Sequence, residues 1–187
     1  MSKIFDGDDA FSWTKAFAEQ VLTPEEAAAA VENGDSLACS LPEPTGFLYA
    51  LANRTELREI TIFIPAPRKG GVAIAKHPGI ELKTPFLTQI MRDANAHAEV
   101  VPVRLEDWGS FTKRNASRIS IVQVGRPRPD GSIAPGSAIA GNDALVRKNR
   151  QKNDLVFALV NPVVPDIPGD SFHVKDFDGL IEIPLQG

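Results

Sequence analysis

Between Ser36 and Ile64 the chain changes period twice, and that constrains its fold more than any other feature. Ser36-Leu37-Ala38-Cys39-Ser40 reads as a short buried strand and Pro42-Glu43-Pro44-Thr45 as a turn. Gly46 to Arg54 reads as a helix with Phe47, Leu48 and Leu51 on one side. Glu59 to Ile64 is a strand of β-favouring residues closed by Pro65. Strand, helix and strand within about 30 residues argue for a parallel pair joined by a crossover helix. Parallel strands are buried on both faces, so the remaining chain has to supply more strands and the helices that cover them.

The flanking segments fit that demand. Ala10 to Val21 carries Phe11, Trp13, Phe17 and Val21 and reads as a partly amphipathic helix, an extension over residues 1–22 ahead of an α/β domain over 23–187. Thr23-Pro24-Glu25-Glu26 is a helix start, with Thr23 as cap, Pro24 where a missing N–H costs nothing, and Glu26 closing a capping box. That helix runs through Ala27–Ala30 and stops near Asn33-Gly34. Ala66 to Pro85, rich in glycine and proline, reads as loop with at most a short strand at Val72-Ala73-Ile74. Further on, the pattern predicts a helix over Phe86–Ala96, a strand over Ala98–Val103, a short helix over Glu106–Arg114 and a strand over Ile119–Val124. After a turn-rich stretch from Gly125 to Gly141, it predicts a polar helix over Asn142–Lys152 and a near-continuous apolar strand over Leu155–Val160. Phe172-His173-Val174 and a last strand, Leu180–Ile183, close the chain. The fold class is α/β, an open and mostly parallel sheet flanked by helices. In such sheets ligands bind beyond the carboxyl ends of the strands, so the loops after Ser40, Ile64, Val103, Val124 and Val160 are the ones to watch.

Composition narrows the function classes. With 20 Lys and Arg against 24 Asp and Glu, the net charge of −4 gives no basic stripe for nucleic acid. No apolar run approaches the roughly 20 residues of a membrane span, and the polar, acidic Met1–Asp9 is unlike a secretory signal. The one cysteine, Cys39, cannot form an internal disulfide and lies among apolar neighbours, which points to a buried, inert thiol and a reducing cytoplasm. His77, His97 and His173 are far apart and have no metal-ligand spacing. No P-loop or G-x-G-x-x-G fingerprint is present. The Lys148–Lys152 cluster reads as the wet face of a helix.

Four segments, in order, resemble the acetyl-CoA hydrolase/transferase family, which includes 4-hydroxybutyrate and butyrate–acetate CoA-transferases. Thr23 to Arg54, TPEEAAAAVENGDSLACSLPEPTGFLYALANR, is similar to that family's opening helix, short strand, "EP" turn and "L..AL..R" helix. Val101-Pro102-Val103-Arg104-Leu105 resembles its "VP.HLS" segment, and Val124 to Ala138 its "VSP.D..G..SLG" loop. Asn161-Pro162 through Asp176-Phe177-Asp178 resembles "N..MPRT.GD.FIHVSDID". Together they run from about Trp13 to Glu182. The resemblance implies a sheet of the CoA-transferase type and coenzyme A or acyl-CoA as substrate, with no covalently bound cofactor. It also implies a small carboxylic acid as acceptor, and water as its alternative. Family members are about twice as long and have two similar domains. A glutamate of the second domain attacks the thioester and becomes a glutamyl-CoA thioester by way of an anhydride. This chain stops at Gly187, near the end of the family's first domain, so a second CoA-transferase domain or subunit is implied as partner, in an oligomer. The sequence departs from the pattern at Arg104 and Glu106 in place of histidine and serine, at Gly125-Arg126, and at Val164-Pro165-Asp166-Ile167.

Weighed singly, the candidate residues carry two readings each. Glu43 is the carboxylate a nucleophile would need, but beside a helix N-terminus its anion is stabilised and its reactivity lowered. It is therefore read, with Pro42, Pro44 and Thr45, as the rim of an acyl pocket. Asp130-Gly131 has the chemistry of a tight turn, and the small residues after it, Ser132, Gly136 and Ser137 among them, allow close approach of a ligand. Asn161 either lines the site or bonds its own backbone at a strand exit. Arg104 either holds a carboxylate or phosphate through its fork or pairs with Glu106 or Asp107. Two functional readings follow: a CoA-transferase half-enzyme that is inactive alone, or a stand-alone domain binding CoA or a small acid. A sugar-phosphate isomerase-like domain shares the architecture but no motif.

Overall fold

The computed structural model describes residues 11–115, 118–135, 145–146, 154–164 and 171–183. Their strands are β1 (Val21–Leu22), β2 (Ser36–Cys39), β3 (Ile60–Phe63), β4 (Ile80–Thr84), β5 (Glu99–Val100), β6 (Ile119–Val124), β7 (Ser132–Ile133), β8 (Leu155–Val160), β9 (Phe172–His173) and β10 (Gly179–Glu182). The helices are α1 (Trp13–Ala16), α2 (Pro24–Ala29), α3 (Thr45–Ala52), α4 (Lys69–Ala75), α5 (Gln89–Asp93) and α6 (Trp108–Arg114). Eight strands form one sheet in the order β1-β10-β8-β6-β2-β3-β4-β5, with every pairing parallel, and β7 and β9 make a small antiparallel pair. The open parallel α/β sheet is thus the fold the pattern predicts.

Strand alternation sorts the core into two layers. Leu37 and Cys39 of β2, Ile60 and Ile62 of β3, Ile119 and Ile121 of β6 and Phe157 and Leu159 of β8 pack against α2, α3 and α4 on one face. Ala38, Phe63, Val122, Val124, Val156 and Val160 face Trp108 of α6, Leu145 and Val146, and Phe172, Val174 and Phe177 on the other. Trp13 and Phe17 also pack on this second layer. β8 is buried along almost its whole length, as a continuous apolar strand requires.

Local signals hold where a cap lies within a few residues of its helix. Thr23 Oγ1 accepts from the Glu26 amide at 3.1 Å while Glu26 Oε2 accepts from the Thr23 amide at 2.8 Å, the reciprocal box that starts α2. Gly34, at φ +83, supplies the left-handed turn after it.

Several expectations are corrected. Ala10 to Val21 is not one helix: α1 is a single turn, a 3-10 turn follows at Ala18–Gln20, and Val21 with Leu22 joins the sheet beside β10. The segment read as loop from Ala66 to Pro85 contains helix α4, where a strand at Val72–Ile74 was expected, and strand β4. Gly70 and Gly71 depress helix propensity, and the group that starts α4 lies far back in the sequence, so no local signal marks it. β4 alternates Ile80, Leu82 and Thr84 inward with Glu81 and Lys83 outward, and Lys83 pairs with Glu81 at 3.2 Å and with Glu99 of β5 at 2.8 Å. The predicted helix over Phe86–Ala96 shrinks to α5, and the strand over Ala98–Val103 to β5. Of the helix predicted over Asn142–Lys152, Leu145 and Val146 are helical and the rest, with the lysine cluster, lies outside the described residues.

Candidate functional site

From β2 the chain steps outward through β3, β4 and β5, then returns to place β6 on the other side of β2. The topological switch point, where an open α/β sheet gathers its ligand, therefore lies between the carboxyl ends of β2 and β6. At that point the two strands part. Cys39 still pairs with Ile121, but beyond it the Ser40 hydroxyl, rather than a main-chain carbonyl, accepts the Gln123 amide at 2.8 Å. The β2 backbone is thereby free to turn through Leu41–Pro44 into α3.

Glu43 sits in this turn and is 5% exposed. Its carboxylate accepts from the amides of Gly70 at 2.8 Å and Gly71 at 2.9 Å, and also from the Arg68 amide. The Thr45 hydroxyl adds a fourth donor at 3.0 Å. Glu43 is therefore the missing cap of α4, delivered from another segment, and its charge meets the positive end of that helix. The site of α4 explains its two glycines. A Cβ at Gly70 would lie 2.7 Å from Glu43 Oε1, and one at Gly71 2.3 Å from Pro67 Cβ. The helix that stabilises the anion is α4, not the α3 that follows the turn, and the carboxylate is buried rather than solvated. Four donors on two oxygens leave it poorly placed to attack a thioester.

Cys39, directly below, is fully buried. Burial above all, and then the negative Glu43, push its thiol well above the usual range, so it is a protonated core side chain. Its carbonyl accepts from Trp108 Nε1 at 3.4 Å, which ties α6 to the end of β2.

The other expected residues are dispersed. Arg104 leaves the sheet at the edge strand β5, is 74% exposed, and pairs with Glu106 at 3.0 Å and Asp107 at 2.9 Å. Asp130 and Gly131 form the tip of a turn: Gly131 has φ +82, its amide donates to the Arg128 carbonyl, and Asp130 Oδ1 accepts from the Ser132 amide at 2.9 Å. The Ser132 hydroxyl and amide hold the Asp130 carboxyl below its ordinary value. This hairpin folds back along the sheet. Ser132 pairs with His173, and the Gly131 carbonyl accepts from Val174, so the tip is bound to the segment leading into β10 and not to the β2 exit. Asn161 does stand at the carboxyl end of β8, where its Oδ1 accepts from the Val163 amide at 3.0 Å. Gly136 and Ser137 lie outside the described residues. The structure thus brings Pro42, Glu43, Pro44 and Thr45 together at the switch point, with Asn161 two strands away along the same end of the sheet.

One polar residue at this end escaped the sequence reading. Gln123 is 5% exposed and its side-chain amide bonds none of the described residues. A glutamine one position from the end of a mostly apolar, fully buried strand was the available signal. At the opposite end of the sheet a shallow depression lined by Arg58, Glu59, Pro78 and Gly79 gathers no convergent chemistry, since the Arg58 guanidinium is taken by the Thr55 and Leu57 carbonyls. Among the described residues no three His, Cys, Asp or Glu side chains group to hold a metal, and no helix is long and apolar enough to cross a membrane.

A sheet of this topology with helices on both faces is a CoA-transferase-like fold. The chain is similar to RipA from Yersinia pestis, with TM-score 0.76 and 19% identity over 92% of this chain and 44% of that one. It is also similar to 4-hydroxybutyrate CoA-transferase from Porphyromonas gingivalis, with TM-score 0.66 and 17% identity over 92% and 41%. A variant of the decarboxylase AibA/AibB matches with TM-score 0.60 and 12% identity over 88% of this chain and 83% of that one. At these identities the likeness is one of fold. The chain spans less than half the length of RipA and of the transferase. No family profile and no curated protein matches the sequence.

Proposed function

We propose that this chain is the first-domain half of an enzyme that moves coenzyme A from an acyl-CoA to a small carboxylic acid. In this reading it supplies one wall of the acyl site, and a second domain or subunit supplies the attacking glutamate. The observation that carries the proposal is the state of Glu43. The carboxylate at the switch point is fully engaged as the cap of α4, so the wall it belongs to is built for shape and the nucleophile comes from outside. Three of the four exposed large apolar side chains among the described residues support a covering domain at this end: Phe86 follows β4, Val100 closes β5 and Val163 follows β8.

The test mixes the purified chain with an acyl-CoA and a labelled carboxylate, alone and together with the polypeptide encoded beside it. The expected result is no exchange by the chain alone and exchange in the mixture, with borohydride-trapped glutamyl thioester on the added polypeptide. Trapping on Glu43, or no exchange in either case, overturns the proposal. The second reading, a stand-alone domain binding CoA or a small acid, is favoured by the AibA/AibB likeness, in which a chain of nearly this size carries the fold. Calorimetry with acyl-CoAs and the unmixed chain separates the two.

A further inference from the structure

Asn33 and Gly34 form the turn between α2 and β2, and Asn-Gly occurs nowhere else in the chain. Both residues are exposed, and Gly34 has the left-handed φ of +83 that such a turn needs. Their polar groups are nevertheless engaged. Asn33 Oδ1 accepts from the Arg58 amide at 2.8 Å, and the Gly34 amide donates to the Arg58 carbonyl at 3.2 Å. The turn and the residue just ahead of β3 thus clasp each other in both directions. Asparagine before glycine is the pairing most open to self-modification, because glycine has no side chain to keep its nitrogen away from the asparagine carboxamide. In the clasped turn neither reacting group is available. The proton that the Gly34 nitrogen must lose is given to the Arg58 carbonyl, and the carboxamide that must swing onto that nitrogen is held by the Arg58 amide.

The geometry points to Asn33 as a modification site gated by this clasp: the folded chain keeps it intact, and opening of the α2–β2 turn releases it to deamidate. In the step, the Gly34 nitrogen bonds to Asn33 Cγ, the bond from Cγ to Nδ2 breaks, and ammonia leaves with the proton given up by Gly34. Water then opens the succinimide at either carbonyl and leaves aspartate or isoaspartate. The two products differ in consequence. Aspartate keeps an oxygen for the Arg58 amide but adds a charge beside Glu32 and Asp35, at the carboxyl end of α2. Isoaspartate adds a methylene to the main chain inside a turn closed twice, by the Asp35 amide on the Glu32 carbonyl at 3.1 Å and by the Glu32 amide on Asp35 Oδ2 at 2.7 Å. Asp35 in turn ties β2 to both of its neighbours, through the Thr61 amide of β3 on its carbonyl at 3.0 Å and through Arg118, just ahead of β6, on its carboxylate. A chain that has once opened is thereby marked at the root of the strand that leads to Glu43.

The experiment ages the full chain at mildly alkaline pH across a guanidinium chloride series, from native to fully unfolding conditions. The mass gain of deamidation is followed on the peptide that carries Asn33, with its position fixed by fragmentation and with Asn33→Gln as the control that abolishes it. Hydrogen exchange of the Gly34 and Arg58 amides is measured under the same conditions. The native chain should deamidate at Asn33 at least about tenfold more slowly than the unfolded one. Below the unfolding transition, the rate should rise in step with exchange at Gly34 and Arg58, since one opening frees both. Material modified while unfolded and then refolded should melt at a lower temperature than unmodified material. Equal rates in the native and unfolded chain, or no mass gain when the chain is unfolded, overturn the inference. So do slow deamidation with unprotected Gly34 and Arg58 amides, which removes the clasp as its cause, and an unchanged melting temperature after modification.

Discussion

The two ends of the sheet are closed by different means. At the amino end, closure is distributed. Arg118 forks onto Asp35, with both contacts at 2.5 Å, and donates to the Ala30 carbonyl, while Arg54 donates to the Ala28 and Val31 carbonyls. Two arginines thereby cover the last carbonyls of α2, and His77 Nε2 in turn bonds the Arg54 carbonyl at 3.0 Å. At the carboxyl end a single carboxylate, Glu43, organises the turn after β2 and the start of α4. The scaffold is thus fixed by several groups at one end and by a single carboxylate at the other.

The contrast breaks most directly at Glu43. Glu43→Ala leaves the amides of Gly70 and Gly71 buried without an acceptor, and should cost about 4 kcal/mol in urea unfolding. Glu43→Gln, which keeps the shape but sets an NH₂ against those donors, should cost about half of that. Arg118→Ala tests the other end. Asp35 is 8% exposed and would be left unpaired, but Arg118 is a third exposed and Asp35 keeps its bond from the Glu32 amide at 2.7 Å. The expected loss is about 2–3 kcal/mol, below that of a fully buried pair. A larger loss for Arg118→Ala than for Glu43→Ala would invert the comparison. The smallest effect sharpens it. Thr23→Ala removes half of an exposed, local box and should cost about 1 kcal/mol. The Thr23 amide first, and then its hydroxyl, hold the Glu26 carboxyl below its ordinary value. Its stabilising contribution is therefore fully present above that value and lost as pH falls through the depressed folded value. Because Thr23→Ala keeps the backbone amide, the gap between urea titrations of wild type and variant should narrow on acidification only by the hydroxyl's share, and a gap that widens would count against the capping box as its cause.

What was legible in the sequence follows the distance between cause and effect. The β2–α3–β3 unit, β6, β8 and the α2 box are each determined by residues within a few positions of the element, and all were readable. α4 was not, because its cap is 27 residues away in the sequence and its glycines answer to tertiary packing. β1, β7 and β9 are two residues long and exist only by virtue of their partners. At the site, a helix N-terminus beside Glu43 was readable, though the helix that bonds its carboxylate is α4 and not the one that follows the turn. Gln123 is not marked in the sequence because a polar residue inside a strand looks like any other alternating position until its burial, with no side-chain partner among the described residues, is seen.

The Glu43 cap has a kinetic consequence as well. The Gly70 and Gly71 amide hydrogens are held by a side chain that belongs to the β2 exit, not by the carbonyl of a preceding helical turn. They can exchange with solvent only when that exit lets go. The head of α4 and the loop after β2 therefore open as one cooperative unit, and the wall of the proposed site moves together or not at all.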